Sequence, residues 1–95
     1  AVITLTKDMA VKFAPFGIRV NAISAGPIKT LSAAGIKGMR AMLAKTAELN
    51  PLRRNVTIDD VERSGVYALS DLSSGMTGEV IHVDGGYHAI GAVDS

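Results

Sequence analysis

The stretch that most constrains this chain runs from Gly17 to Thr30, Gly-Ile-Arg-Val-Asn-Ala-Ile-Ser-Ala-Gly-Pro-Ile-Lys-Thr. Its first half is a short apolar run with β-branched residues behind a glycine, the pattern of a buried strand, predicted over Ile18 to Ser24. Gly26-Pro27 then forces a turn. A buried strand that feeds directly into a tight loop suits a parallel sheet. In such sheets ligands bind in the crevice beyond the carboxyl ends of the strands. Ala25 to Thr30 is therefore where a ligand is expected.

The flanking segments supply helices for that sheet. Val2, Leu5, Met9 and Phe13 recur at three- and four-residue spacing, so Ala1 to Ala14 reads as a helix with one apolar stripe, stopped by Pro15-Phe16-Gly17. Leu31 to Ala34 is compatible with a single helical turn. Ile36 to Leu49 reads as a second helix with Ile36, Met39, Met42 and Leu43 on its apolar face. Asn50-Pro51 ends it, because the residue before a proline avoids the helical region. A polar loop with Arg53 and Arg54 leads to Thr57-Ile58-Asp59-Asp60, where Thr57 and Asp60 have the spacing of a capping box. Val61, Ala68, Leu69 and Leu72 are the expected apolar side of this third helix, and Ser73-Ser74-Gly75 the expected break. Glu79 to Val83 reads as a second strand, closed by an Asp84-Gly85-Gly86 turn.

The order helix, strand, helical crossover, strand is the grammar of a doubly wound α/β sheet. Parallel strands need cover on both faces and neighbours on both sides. Two strands are few, and the expectation is that further strands of the same sheet lie upstream. No repeats, low-complexity blocks or linkers divide the 95 residues.

Composition narrows the function. Ten basic and nine acidic residues give a net charge of +1, no footprint for nucleic acid or an anionic membrane. No apolar run reaches the length of a membrane span, and Ala1 to Lys7 lacks the basic leader of a signal peptide. The absence of cysteine excludes disulfides and thiolate metal sites and fits a reducing compartment. With no clustered carboxylates either, no metal site is expected. His82 reads as a strand residue and His88 as a residue of the tail. No Gly-x-Ser-x-Gly elbow surrounds Ser24, which sets a hydrolase aside.

Three segments together resemble the C-terminal third of a short-chain dehydrogenase/reductase: Gly17 to Asn21, the Gly-Pro loop, and Thr77-Gly78-Glu79-Val80-Ile81-His82-Val83-Asp84-Gly85-Gly86. Within that superfamily, Asn21 to Leu31, Gly35 to Lys37 with Met42-Leu43, and Pro51 to Val61 are similar to the bacterial enoyl-acyl carrier protein reductases. The resemblance runs from about Met9 to Gly86. The two ends differ: Ala1 to Lys7 looks more like the general reductases of the superfamily, including 3-oxoacyl reductases, and Tyr87 to Ile90 departs from the enoyl pattern. The order Gly26-Pro27 favours the enoyl side over the Pro-Gly usual in 3-oxoacyl reductases.

The resemblance implies a C-terminal, Rossmann-like part of one reductase domain, spanning 1–95 with its N-terminal part absent. It implies NADH-dependent reduction of enoyl thioesters on acyl carrier protein in fatty acid synthesis, in a cytoplasmic homotetramer. It assigns cofactor contacts to Gly26, Pro27, Ile28 and Thr30. Ile28 would orient the nicotinamide carboxamide and Thr30 would reach the pyrophosphate. It assigns acyl contacts to Ser32, Ala33, Ile36, Met39 and Met42, although core packing explains Ile36, Met39 and Leu43 equally well. From spacing alone, the Gly-Pro loop with Thr30 is also an ordinary strand-to-helix turn with a capping threonine. Lys37, Arg40 and Lys45 fall near one helix face, which is either a solvated face or a steering surface for an acidic carrier protein.

The superfamily's catalytic pair is a Tyr and a Lys, four residues apart or, in enoyl reductases, seven. Tyr67 is followed at these spacings by Asp71 and Ser74, and Tyr87 by Gly91 and Asp94. The resemblance places the pair before Ala1, so the isolated chain is expected to be inactive. The rivals left open are an NADPH-dependent 3-oxoacyl reductase and a non-catalytic association unit.

Overall fold

The computed structural model describes residues 1–29 and 35–91. Helix α1 (Val2–Phe13) tightens into a 3-10 turn at Ala14–Phe16 and ends at Gly17, whose φ of 73° is the left-handed conformation glycine adopts without strain. Strand β1 (Ala22–Ala25) follows. Helix α2 (Met39–Leu49) and helix α3 (Ile58–Leu69) form the crossover to strand β2 (Val80–Val83). The two strands pair in parallel, Ala22 opposite Val80 and Ala25 opposite Val83. The expected α/β class and parallel pairing are therefore observed.

Two boundaries shift. The first strand begins at Ala22 rather than Ile18, because opposite Val20 the partner chain segment is a turn at Gly78 (φ 75°). There the Val20 amide donates to Thr77 Oγ1 (3.0 Å) and the Gly78 amide donates to the Val20 carbonyl (2.7 Å), so regular pairing starts only after them. The second helix begins at Met39 rather than Ile36. Gly38, at φ 84°, occupies its N-cap and turns the chain left-handed just before it.

Which faces are buried also differs from the periodicity. On α1 the inward residues are Thr6 and Ala10, whereas Val2 and Leu5 of the apolar stripe are exposed. Ala10 sits where a side chain at Gly78 would begin, 3.5 Å away, so small residues set this approach. On α3, Gly65 lies over Ile23 of β1, while Leu69 at its end and Leu72 in the 3-10 turn after it are 88% and 81% exposed. The helix meets the sheet through its small residues, not its leucines.

Two polar clamps hold the parallel pair. The Arg19 guanidinium donates to the carbonyls of Ala68, Ser70, Ser73 and Met76 at 2.8 to 3.3 Å, gathering the acceptor-rich end of α3. Asn21 donates to the Met76 carbonyl and accepts from the Glu79 amide, so its side chain bridges to the residue before β2. The capping box is formed as expected. The Asp60 amide donates to Thr57 Oγ1 (3.2 Å) and the Thr57 amide donates to Asp60 Oδ2 (2.8 Å).

Candidate functional site

Both strands end at the same edge, and there the Gly26 loop meets the Asp84 turn. The Gly26 amide donates to the Val83 carbonyl at 3.0 Å, extending the ladder by one residue. A Cβ on Gly26 would lie 3.2 Å from Asp84 Cα, so only a bare backbone passes here without displacement. Pro27 and Ile28 follow, both half-buried, and Lys29 is exposed. Among the described residues no hydrogen bond to the Ile28 amide or carbonyl is seen. Gly26, Pro27 and Ile28, the cofactor contacts expected from the sequence, thus follow one another directly beyond the end of β1. Thr30, Ser32 and Ala33 lie outside the described residues.

Lys29 lies beside the start of α2, where it lines a recess of about 200 Å³ with Met39, Arg40 and Leu43. Met39 is half-buried and Leu43 buried, so these two make its apolar floor. Met42 is exposed one turn along, and Ile36 is exposed in the turn before the helix. The structure therefore brings Met39, but neither Ile36 nor Met42, into the recess beside the loop. Lys37, Arg40 and Lys45 are all exposed.

A second recess of about 420 Å³ joins Ile28 and Lys29 to Asn55, Thr57 and Asp59, at the start of α3. Asp60 here accepts from Arg54 Nη1 at 2.7 Å and from the Thr57 amide. These bonds, the arginine's first, hold its carboxyl down at about 2. Arg54 is accordingly tied to the cap. Arg53, at φ 57°, donates to the Glu48 carbonyl at the end of α2. Both arginines thus engage helix ends, Arg54 the cap of α3 and Arg53 the last turn of α2.

One group of side chains escaped the sequence reading, which took His82 as a strand residue and His88 as a residue of the tail. His82, Asp84 and His88 stand together at the end of β2. His88 Nδ1 lies 3.0 Å from both Asp84 oxygens, and the two imidazoles stack with centroids 4.1 Å apart. The signal available in the sequence was the His-x-Asp-Gly-Gly-x-His spacing, in which a glycine turn folds the second histidine back over the strand.

A parallel pair of strands joined by a helical crossover is an α/β unit of the Rossmann type. The chain belongs to the enoyl-(acyl carrier protein) reductase family, whose model matches residues 1–88. It is 58% identical over 79 residues to the NADH enoyl-acyl carrier protein reductase FabI of Escherichia coli, covering 83% of this chain and 30% of that protein. It is 56% identical over 84 residues to the NADPH enzyme FabI of Staphylococcus aureus, covering 88% of this chain and 33% of that one. Among solved structures, the enoyl-acyl carrier protein reductase of Anaplasma phagocytophilum in complex with NAD superposes with a TM-score of 0.88 at 48% identity, over 96% of this chain and 35% of that chain. The Bacillus cereus enzyme with NADP+ and an indole naphthyridinone gives 0.85 at 48% identity, over 92% and 34%. The chain thus spans about a third of the length of the relatives it matches.

Proposed function

We propose that the protein carrying this segment reduces trans-2-enoyl thioesters of acyl carrier protein with a nicotinamide cofactor, NADH in the first instance, in fatty acid synthesis. The observation that carries this reading is the family match over residues 1–88. The place of Ile28 just beyond the end of β1 supports it locally. Residues 1–95 act as the C-terminal part of one reductase domain. The exposed stripe of α1 and the exposed Leu69 and Leu72 are then faces covered by the rest of that domain. The working assembly is a homotetramer in the cytoplasm.

When bound, the cofactor supplies hydride to the β-carbon of the enoyl thioester, and a proton completes the α-carbon. This chain's share is to position. Gly26 and Pro27 hold the loop close against Asp84, and the Ile28 backbone orients the carboxamide. Thr30 meets the pyrophosphate. Ser32, Ala33, Ile36, Met39 and Met42 line the acyl path, Met39 from the recess it shares with Lys29. Lys37, Arg40 and Lys45 present positive charge to an acidic carrier protein. The Tyr and Lys of the family's chemistry lie before Ala1, so residues 1–95 alone turn over nothing.

The test is an assay of the complete protein with a trans-2-enoyl and a 3-oxoacyl thioester, each with NADH and with NADPH. Cofactor oxidation with the enoyl substrate is expected. Oxidation with the 3-oxoacyl substrate alone overturns the proposal. The ratio of rates with NADH and NADPH decides the cofactor, since relatives of both kinds are similar to this chain.

A further inference from the structure

The backbone brings His82, Asp84 and His88 together. His82 stands on the exposed side of β2. Asp84 follows the strand, and its carboxylate accepts from the Gly86 amide (3.0 Å) and the His88 amide (3.3 Å), which fixes its orientation. Gly85 and Gly86, at φ 70° and 92°, reverse the chain so that the short turn Tyr87–Ala89 lays His88 on His82. The result is two imidazoles and a carboxylate whose donor atoms all lie within 4.8 Å of one another. They open onto a cleft of about 420 Å³. The histidine side chains are 40% and 47% exposed in this segment.

We propose that His82, Asp84 and His88 form a binding site for a divalent transition-metal ion of the zinc type, with water in the remaining position. Two nitrogens and one oxygen suit such an ion, and the donor set is too nitrogen-rich for calcium or magnesium. Around a tetrahedral ion with bonds of about 2.1 Å, donor atoms stand about 3.4 Å apart. His88 Nδ1 and the Asp84 oxygens, at 3.0 Å, need only a small expansion. His82 Nδ1 is 3.8 Å from Asp84 Oδ2, beyond hydrogen-bond reach and without a partner among the described residues. It needs a small approach and a change of tilt. An imidazole nitrogen binds along its own ring plane, and two rings only 13° from parallel cannot both aim at one ion. Metal binding therefore opens the stack. The same cleft holds Arg54, neutralised by Asp60 at 2.7 Å, and Arg63, whose charge opposes a cation and limits affinity.

The site uses none of the residues assigned to the reductase reading, so its test needs no turnover. The complete protein is titrated with Zn2+ by calorimetry and with Co2+ by absorption, while the histidine ring protons are followed by NMR. Saturable one-to-one binding is expected, with the stacked-ring shifts of both His82 and His88 lost together. His88→Gln keeps a hydrogen-bond donor toward Asp84 but is a poor ligand, and it should weaken Zn2+ binding about ten-fold or more. His82→Ala should do the same. Absence of saturable binding, binding unchanged in His88→Gln and His82→Ala, or binding that leaves the ring stack intact overturns the proposal.

Discussion

Asn50 and Gly85 interlock: a Cβ on Gly85 would come within 2.8 Å of Asn50 Nδ2 and 3.1 Å of the Arg54 carbonyl. Asn50 is 1% exposed, and its Nδ2 donates to that same Arg54 carbonyl at 2.8 Å. The Leu52 amide donates to the Gly85 carbonyl. Gly86 is packed as closely against Pro51. The glycine pair is thus the bed on which the loop after α2 rests, and this bed joins the loop to the end of β2.

Gly85→Ala should therefore destabilise strongly. The left-handed φ costs a non-glycine residue about 1–2 kcal/mol, and the backbone overlap adds about 1–3 kcal/mol. Gly75→Ala, where a Cβ meets nothing within 4 Å, should stay within about 0.5 kcal/mol of wild type. Denaturant midpoints of the complete protein read the difference, and equal midpoints would refute the interlock.

The α3 cap should show itself in pH as well as by mutation. Thr57→Ala removes the acceptor for the Asp60 amide and should cost about 1 kcal/mol. Asp60 titrates near 2 in the folded chain, below the 3.8 of an ordinary aspartate, so its contribution is fully present above about pH 4. It is lost as pH falls from there toward 2. Unfolding followed from pH 6 to 2 should lose this acid-sensitive part in Asp60→Asn.

Arg19 should tolerate no replacement of its planar fork. It serves four carbonyls around the end of α3, and a lysine ammonium reaches fewer of them at once. Arg19→Met should cost about 2 kcal/mol or more, because half-buried carbonyls lose their donors. Arg19→Lys should recover only part of that. Thermal unfolding of both variants checks the order.

Gly26→Ala tests the cofactor loop. The added methyl meets Asp84 Cα at 3.2 Å and pushes the loop away from the strand ends. In the complete protein the KM for the nicotinamide cofactor should rise several-fold, with the KM for the thioester changed less. An unchanged cofactor KM would remove Gly26 from the site.

The class of fold was legible in local signals. Proline and glycine positions marked the ends of α1 and α2, the Thr57–Asp60 spacing marked the start of α3, and two β-branched runs marked the strands. These depend on backbone sterics and short-range hydrogen bonds, which a sequence writes out directly. The Gly26-Pro27 turn after the first strand was legible for the same reason.

What tertiary structure alone decided concerns distance across the chain. Periodicity marked Leu69 and Leu72 as inward, yet Gly65 is the residue over the sheet, because the spacing between layers selects small residues there. The first strand starts late because its partner is still turning at Gly78, a fact about residues far along the chain. His88 meets His82 because two left-handed glycines reverse the backbone between them. The sequence by itself determined which backbone conformations each segment accepts. Only the folded chain decided which side chains those conformations bring face to face.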